Sequence, residues 1–125
     1  MVTADRRSLA DLLLRWQAGQ VSAWQMIEEA EEAEELLFRD VAVVPEIPKT
    51  DPQSISVAAL GMLSAAHHQQ LLRADVPALL KFLESQPGGE LDAWARFDHY
   101  WAAVDWSARA GAAQELYFEP ERLDE

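Results

Sequence analysis

The sequence predicts an all-α protein, a single-domain bundle of five to six helices. Apolar residues recur with the three- and four-residue spacing of a helix, whereas the alternation typical of strands is scarce. Serine, aspartate, glycine and proline stand where these stretches begin or end, as is typical of helix caps and stops. A chain of 125 residues, 50% of them hydrophobic, can bury one core but not two. We therefore expect residues 1–125 to form one domain.

The first two predicted helices form a hairpin. The first runs from about Asp5 or Ser8 to Ala18, and Gly19 follows as its stop because glycine commonly ends a helix. The second begins after Ser22, which forms a capping box with Gln25 three residues further on. The apolar stripe of the first helix consists of Leu9, Leu12, Leu13 and Trp16.

A Pro-rich linker separates the second helix from the third. Residues 41–51 contain Pro45 and Pro48, and Pro52 follows at once. Proline lacks a backbone donor and disfavours helix in the residue before it, so the helix cannot continue here. We expect an extended segment, in which residues 41–44 are compatible with a short strand-like piece.

The third predicted helix is the best candidate for the central element. Asp51 caps it, Pro52 takes its first position, and it runs to about Arg73. It is apolar over much of its circumference, which is typical of a helix surrounded by others. Gly61 within it indicates a close helix crossing.

Three shorter helices follow. Asp75 is expected to cap the fourth, which ends at residues 87–89, Pro-Gly-Gly. The fifth covers about 90–103 and carries three aromatic residues on one face. Asp105 caps the last, which continues through Ala113. Trp16, Trp94 and Trp101 lie on predicted apolar faces and are expected in the core.

The net charge is −12, from 22 acidic and 10 basic residues, and it is unevenly distributed. Six glutamates lie between Glu28 and Glu35, and residues 114–125 form an acidic tail that we expect to be frayed. Nucleic acid and anionic membranes are polyanions, so the charge disfavours both as partners. A basic protein is the partner that it favours.

Several classes of site are missing from the sequence. The chain has no cysteine, no glycine-rich phosphate loop, no HExxH and no GxSxG. No apolar run approaches the roughly 18 residues needed to cross a bilayer, and the start at Met1 lacks the layout of a signal peptide. We therefore expect a cytoplasmic protein without cofactor or bound metal.

The histidines provide the alternative function. No histidine stands three residues after a glutamate, so the helical di-iron motif is absent, and His67 and His68 point about 100° apart on an ideal helix. The alternative is a small-molecule or metal-dependent helical enzyme that uses His67 or His68, His99 and Asp92 between the third and fifth helices.

The glutamate run is the main candidate for a binding surface. At helical spacing its like-charged pairs cost about 1–3 kcal/mol in sum at low salt. A solvated face that only aids solubility is one interpretation, and a docking surface for a basic protein is the other. The candidate contact residues are Glu28, Glu31, Glu32, Glu35, Trp24, Tyr100 and Trp106.

The stretch from Leu12 to Ala23, LLLRWQAGQVSA, resembles the opening of small bacterial all-helical immunity proteins of the colicin-D type. It joins a helix, a glycine turn and a Ser-capped helix over about a tenth of the chain. The resemblance implies a small acidic bundle that binds and blocks a basic nuclease toxin made by the same cell. It also implies that Glu28, Glu31, Glu32 and Glu35 face that toxin.

Overall fold

The computed structural model describes residues 6–39 and 46–118, and about three-quarters of these residues are helical. The described ranges contain seven α-helices, one 3₁₀ turn and no strand, so the predicted all-α class is confirmed. The helices are α1 Arg6–Gln17, α2 Ala23–Phe38, α3 Pro52–Ser64, α4 Ala66–Gln69, α5 Val76–Leu83, α6 Glu90–Ala102 and α7 Trp106–Phe118, and the 3₁₀ turn is Arg73–Asp75. The possible strand-like piece at 41–44 and residues 119–125 of the acidic tail lie outside the described residues.

The hairpin of α1 and α2 forms through the local signals that predict it. The Gln25 amide donates to the Ser22 hydroxyl at 3.1 Å, and the Ser22 amide donates to the Gln25 side chain at 2.8 Å. These two bonds are the predicted capping box. Gly19 has a φ of +77°, a left-handed conformation that suits glycine, and α1 ends just before it at Gln17.

The third predicted helix is shorter than expected. It ends at Ser64 instead of near Arg73, and α4 follows as a separate turn. Gln70 then adopts a left-handed conformation with a φ of 56°. Both Leu71 and Val76 beyond this break are fully buried. The break directs these side chains into the core, and tertiary burial outweighs the helix propensity of the segment.

Helices α1, α2, α3 and α5 surround the core, and α2 with α3 is the most extensive pair. Trp16 and Leu13 of α1 are fully inaccessible to solvent. Phe82 of α5 stacks on Phe97 of α6 with ring centroids 5.0 Å apart. Trp94 and Trp101, expected in the core, are half-buried and pack against it. No helix among the described residues is long and apolar enough to span a membrane.

Helix α7 extends further than predicted. Asp105 accepts a hydrogen bond from the Ala108 amide at 3.2 Å, as expected of its cap, but the helix continues to Phe118 instead of ending at Ala113. Residues 114–118, assigned to the frayed tail from the sequence, are therefore helical. The reason is that Tyr117 is buried and donates to the Leu71 carbonyl.

Gly61 is not required by a close helix crossing, contrary to the expectation from sequence. A Cβ atom at this position would meet only the Glu34 carboxylate, at 3.9 Å.

We expect Gly61→Ala to raise the free energy of unfolding by about 0.5–1 kcal/mol, because alanine has the higher helix propensity. Urea denaturation measures the change, with Gly111→Ala at an open position of α7 as the matched control. A loss of stability for Gly61→Ala alone would contradict the spacing of α2 and α3.

Candidate functional site

An acidic surface lies on the solvent side of α2. Its four members, Glu28, Glu31, Glu32 and Glu35, are exposed. The buried residues of α2 are Ala23, Met26, Ile27 and Ala30. They lie on the opposite face of the helix, so the four carboxylates point away from the core. Within residues 6–39 and 46–118, none of the four forms an ion pair. The acidic surface is therefore uncompensated among the described side chains.

The other two glutamates of the run have partners. Glu29 accepts two hydrogen bonds from the Arg15 guanidinium, at 3.1 and 3.2 Å. Hydrogen bonds to Glu29 and then to Asp11 raise the pKa of Arg15. Glu34 is half-buried and accepts from the Ser64 hydroxyl at 3.2 Å. The run therefore divides into two structural glutamates and the four of the acidic surface.

A groove of about 660 Å³ adjoins the acidic surface between α2 and α3. Phe38, Val57 and Gly61 supply its apolar part. Glu31 and Glu35 of the acidic surface line it together with Glu34. A groove with both apolar atoms and carboxylates suits a long cationic side chain. The methylene stem of such a side chain packs on the apolar atoms, and its charged end meets the carboxylates.

An exposed leucine also borders the acidic surface. Leu36 is 52% exposed and stands one helical turn after Glu32. Large apolar side chains at the centre of a polar rim are typical of protein-binding surfaces. The acidic surface thus has apolar atoms beside it on α2 itself as well as in the groove.

The three candidate aromatic residues have different surroundings. Trp24 is half-buried, donates from its indole N–H to the Tyr117 carbonyl at 2.9 Å, and so connects α2 to α7. Tyr100 is half-buried and donates to Asp75. Trp106 is 41% exposed and meets Trp101 edge to face, with centroids 5.1 Å apart. All three pack against neighbouring residues, and of the three Trp106 is the most exposed to solvent.

The structure contains a buried ionic network that the sequence did not predict. Asp75 is 0% exposed and pairs with Arg109 of α7 through two hydrogen bonds, one of them 2.8 Å long. It also accepts from the Leu72 amide at 2.8 Å and from the Tyr100 hydroxyl. Burial, together with the hydrogen bond to Asp75, raises the pKa of Tyr100. These bonds join the 3₁₀ turn, α6 and α7.

Asp75 occupies the N-cap position of α5 as predicted, but its side chain makes no capping hydrogen bond there, so that part of the prediction was wrong. Its carboxylate turns back to Leu72 and across to Arg109 instead of toward the first turn of α5. The Arg109 guanidinium also contacts two neighbouring indole rings, 5.3 Å from the Trp101 centroid and 5.5 Å from that of Trp106. Both carboxylate oxygens of Asp75 have partners, so the network holds the fold together and has no free acceptor for a ligand.

Among the described residues, the histidines and Asp92 do not come together as the metal centre that the alternative enzyme would need. The His67 and His68 rings are in contact, with centroids 3.9 Å apart and planes tilted by 40°, and the His67 centroid is 5.0 Å from that of the Trp24 ring. His99 and Asp92 are exposed on α6. The part of the chain that the structure describes contains no group of three or more histidine or acidic side chains able to hold a metal ion.

His67 makes stability depend on pH. Burial lowers its pKa below the ordinary value of 6.5, the neighbouring His68 lowers it further, and Glu31 opposes the shift. The unfolded chain therefore binds a proton more readily, so stability is lost as pH falls from about 6.5 through the lower folded-state pKa. We expect His67→Gln to reduce this loss in unfolding experiments between pH 5 and 8. His99→Gln, at an exposed position, should keep the wild-type pH dependence of stability. If the free energy of unfolding changes equally with pH in the wild type and in His67→Gln, His67 is not the group responsible.

Comparisons of the chain with protein-family models, with curated proteins and with solved structures find no match.

Proposed function

We propose that this protein is a small acidic interaction module that binds a basic protein partner through the acidic surface of α2. The observation that carries the proposal is four exposed carboxylates that form no ion pair with any residue of 6–39 or 46–118 and lie beside a partly apolar groove. In its sharpest version the protein is an immunity or antitoxin-like inhibitor of a basic nuclease toxin, acting in the cytoplasm.

The acidic surface has an energetic cost that a basic partner relieves. The pairs 28/31, 28/32, 31/35 and 32/35 lie three or four residues apart on one helix. Each like-charged pair destabilises the helix by a few tenths of a kcal/mol, so the four together cost about 1 kcal/mol. Cations of a partner would remove this repulsion and steer the encounter between the two proteins.

The groove favours a docking surface over a face that only aids solubility. Solubility requires charge alone, and scattered carboxylates would provide it. Here Glu31 and Glu35 share a groove with the apolar side chains of Phe38 and Val57. Arginine and lysine have the long stems and charged ends that such a groove accommodates, so the partner's contact surface should be rich in them.

A nuclease is a suitable class of basic partner for a physical reason. A surface that binds nucleic acid must be cationic, because the phosphate backbone dominates its affinity. An acidic protein surface can occupy the same cationic region and exclude the polyanion. Inhibition would then need no contact with the catalytic residues themselves.

We expect the variant Glu28→Gln, Glu31→Gln, Glu32→Gln and Glu35→Gln to unfold with a free energy about 1 kcal/mol higher, because the like-charge pairs are lost. We also expect it to associate with its partner at least about tenfold more slowly at low salt, because steering charges act on the association rate. The wild-type rate should fall as salt increases. Basic proteins captured by the wild type from the native host, identified and purified, provide the partner for these kinetics.

The matched control removes four exposed carboxylates elsewhere, at Glu46, Glu84, Asp92 and Asp98. It changes the net charge equally but leaves α2 intact, so its association rate should stay close to that of the wild type. Equal slowing of both variants would assign the effect to net charge, and unchanged association of the α2 variant would overturn the proposal. For a captured nuclease, loss of DNA or RNA cleavage on adding the wild type tests the inhibitor version.

A further inference from the structure

A second groove lies between α5 and α6 and shares no residue with the acidic surface. Its volume is about 330 Å³, which falls in the range of small-molecule sites. The aromatic rings of Phe82 and Phe97 line it. Ala78 of α5 and Ala93 of α6 also line it, and their short side chains leave space between the two helices. The groove is therefore largely apolar and small.

The charged residues of this groove are both cations. Lys81 and Arg96 line it, and no acidic residue does, in a protein with a net charge of −12. Arg96 lies 3.4 Å from Asp92 one turn earlier on α6, in an exposed pair. Exposed pairs of this kind are weak, so the guanidinium can turn to a ligand at little cost. Charge and shape together select a small molecule with an apolar body and one anionic end.

We propose that the α5–α6 groove binds a small amphipathic monocarboxylate. The apolar body lies against Phe82 and Phe97, and the carboxylate meets Lys81 and Arg96, whose guanidinium can form two parallel hydrogen bonds with it. An acidic polypeptide would need a longer surface than a volume of about 330 Å³ offers. The ligand is thus a free carboxylic acid of short aliphatic or aromatic type.

Nuclear magnetic resonance titration of the ¹⁵N-labelled full chain tests this proposal, with octanoate as the probe. We expect saturable shifts confined to amides of α5 and α6, and much weaker binding of octanol and octylamine. The variant Lys81→Gln, Arg96→Gln should bind octanoate roughly tenfold more weakly, because it lacks both cations. Arg39→Gln, Lys49→Gln removes two exposed cations elsewhere and should bind like the wild type.

A second variant tests shape independently of charge. Ala78 is half-buried, so Ala78→Leu fills the groove from its rim without entering the fully buried core. It should abolish octanoate binding while circular dichroism shows an intact fold. The proposal is overturned if octanoate does not saturate, if octylamine binds as tightly, or if the Lys81/Arg96 variant keeps wild-type affinity. None of these outcomes bears on the acidic surface, because the two regions have no residue in common.

Discussion

We expect Asp75→Asn to lower the free energy of unfolding by about 3–5 kcal/mol, because it leaves the Arg109 guanidinium buried without its counter-charge. The Arg109 side chain is 9% exposed and the Asp75 side chain is 0% exposed, so water cannot replace the lost partner. Asparagine keeps the shape and one acceptor oxygen for the Leu72 amide or the Tyr100 hydroxyl. The lower free energy of unfolding is therefore due mainly to the missing charge. Urea denaturation followed by circular dichroism measures it.

The double variant Asp75→Asn, Arg109→Gln is the control. It removes both charges together, so it should recover a large part of the stability that either single variant loses. Added salt should change the difference between Asp75→Asn and the wild type little, because a buried pair is poorly screened. A loss below about 1 kcal/mol for Asp75→Asn would mean that the pair is solvated like a surface ion pair.

The second large effect is expected at Trp16. Trp16→Ala should cost about 3–5 kcal/mol, because it empties a fully buried site in the last turn of α1. Trp16→Phe should cost much less. The Trp16 indole N–H is buried and has no hydrogen-bond partner among the described residues, so its removal relieves an unsatisfied donor while most of the ring remains.

Trp106→Ala provides the comparison at an exposed indole. Trp106 is 41% exposed but contacts Trp101 and Arg109, so its truncation should cost less than that of Trp16, about 1–2 kcal/mol. Thermal and urea unfolding of the three variants measures how much stability each one loses. If Trp16→Phe is as destabilising as Trp16→Ala, the indole nitrogen has a partner in solution and the packing of α1 differs from that described.

Local signals explain which parts of the fold are predictable from sequence. The capping box at Ser22 uses residues three apart, and the acidic surface follows from the helical repeat of α2, so both follow from a short window of sequence. The break after Ser64 depends on burial of Leu71 by helices distant in sequence. No short window contains that information.

Asp75 shows the same limit for side-chain chemistry. An aspartate just before an apolar helix with an early proline has the pattern of an N-cap. Its actual partner, Arg109, is 34 residues further along the chain and comes into reach only when α7 docks. The partners of Glu34 and the groove between α5 and α6 depend likewise on helix pairing. Periodicity predicts which face of a helix is buried, but not what covers it.

The attachment of α7 has a consequence for the order of events during synthesis. Arg109 supplies the counter-charge of Asp75, and Tyr117 donates to the Leu71 carbonyl, so a helix late in the chain satisfies groups in the middle of it. While the α7 segment is still inside the ribosome, those groups must stay hydrated, because burying them without partners is costly. Earlier helices can associate as they emerge. Water can therefore leave the Asp75 region only after the chain as far as Tyr117 has been synthesised and has left the ribosome.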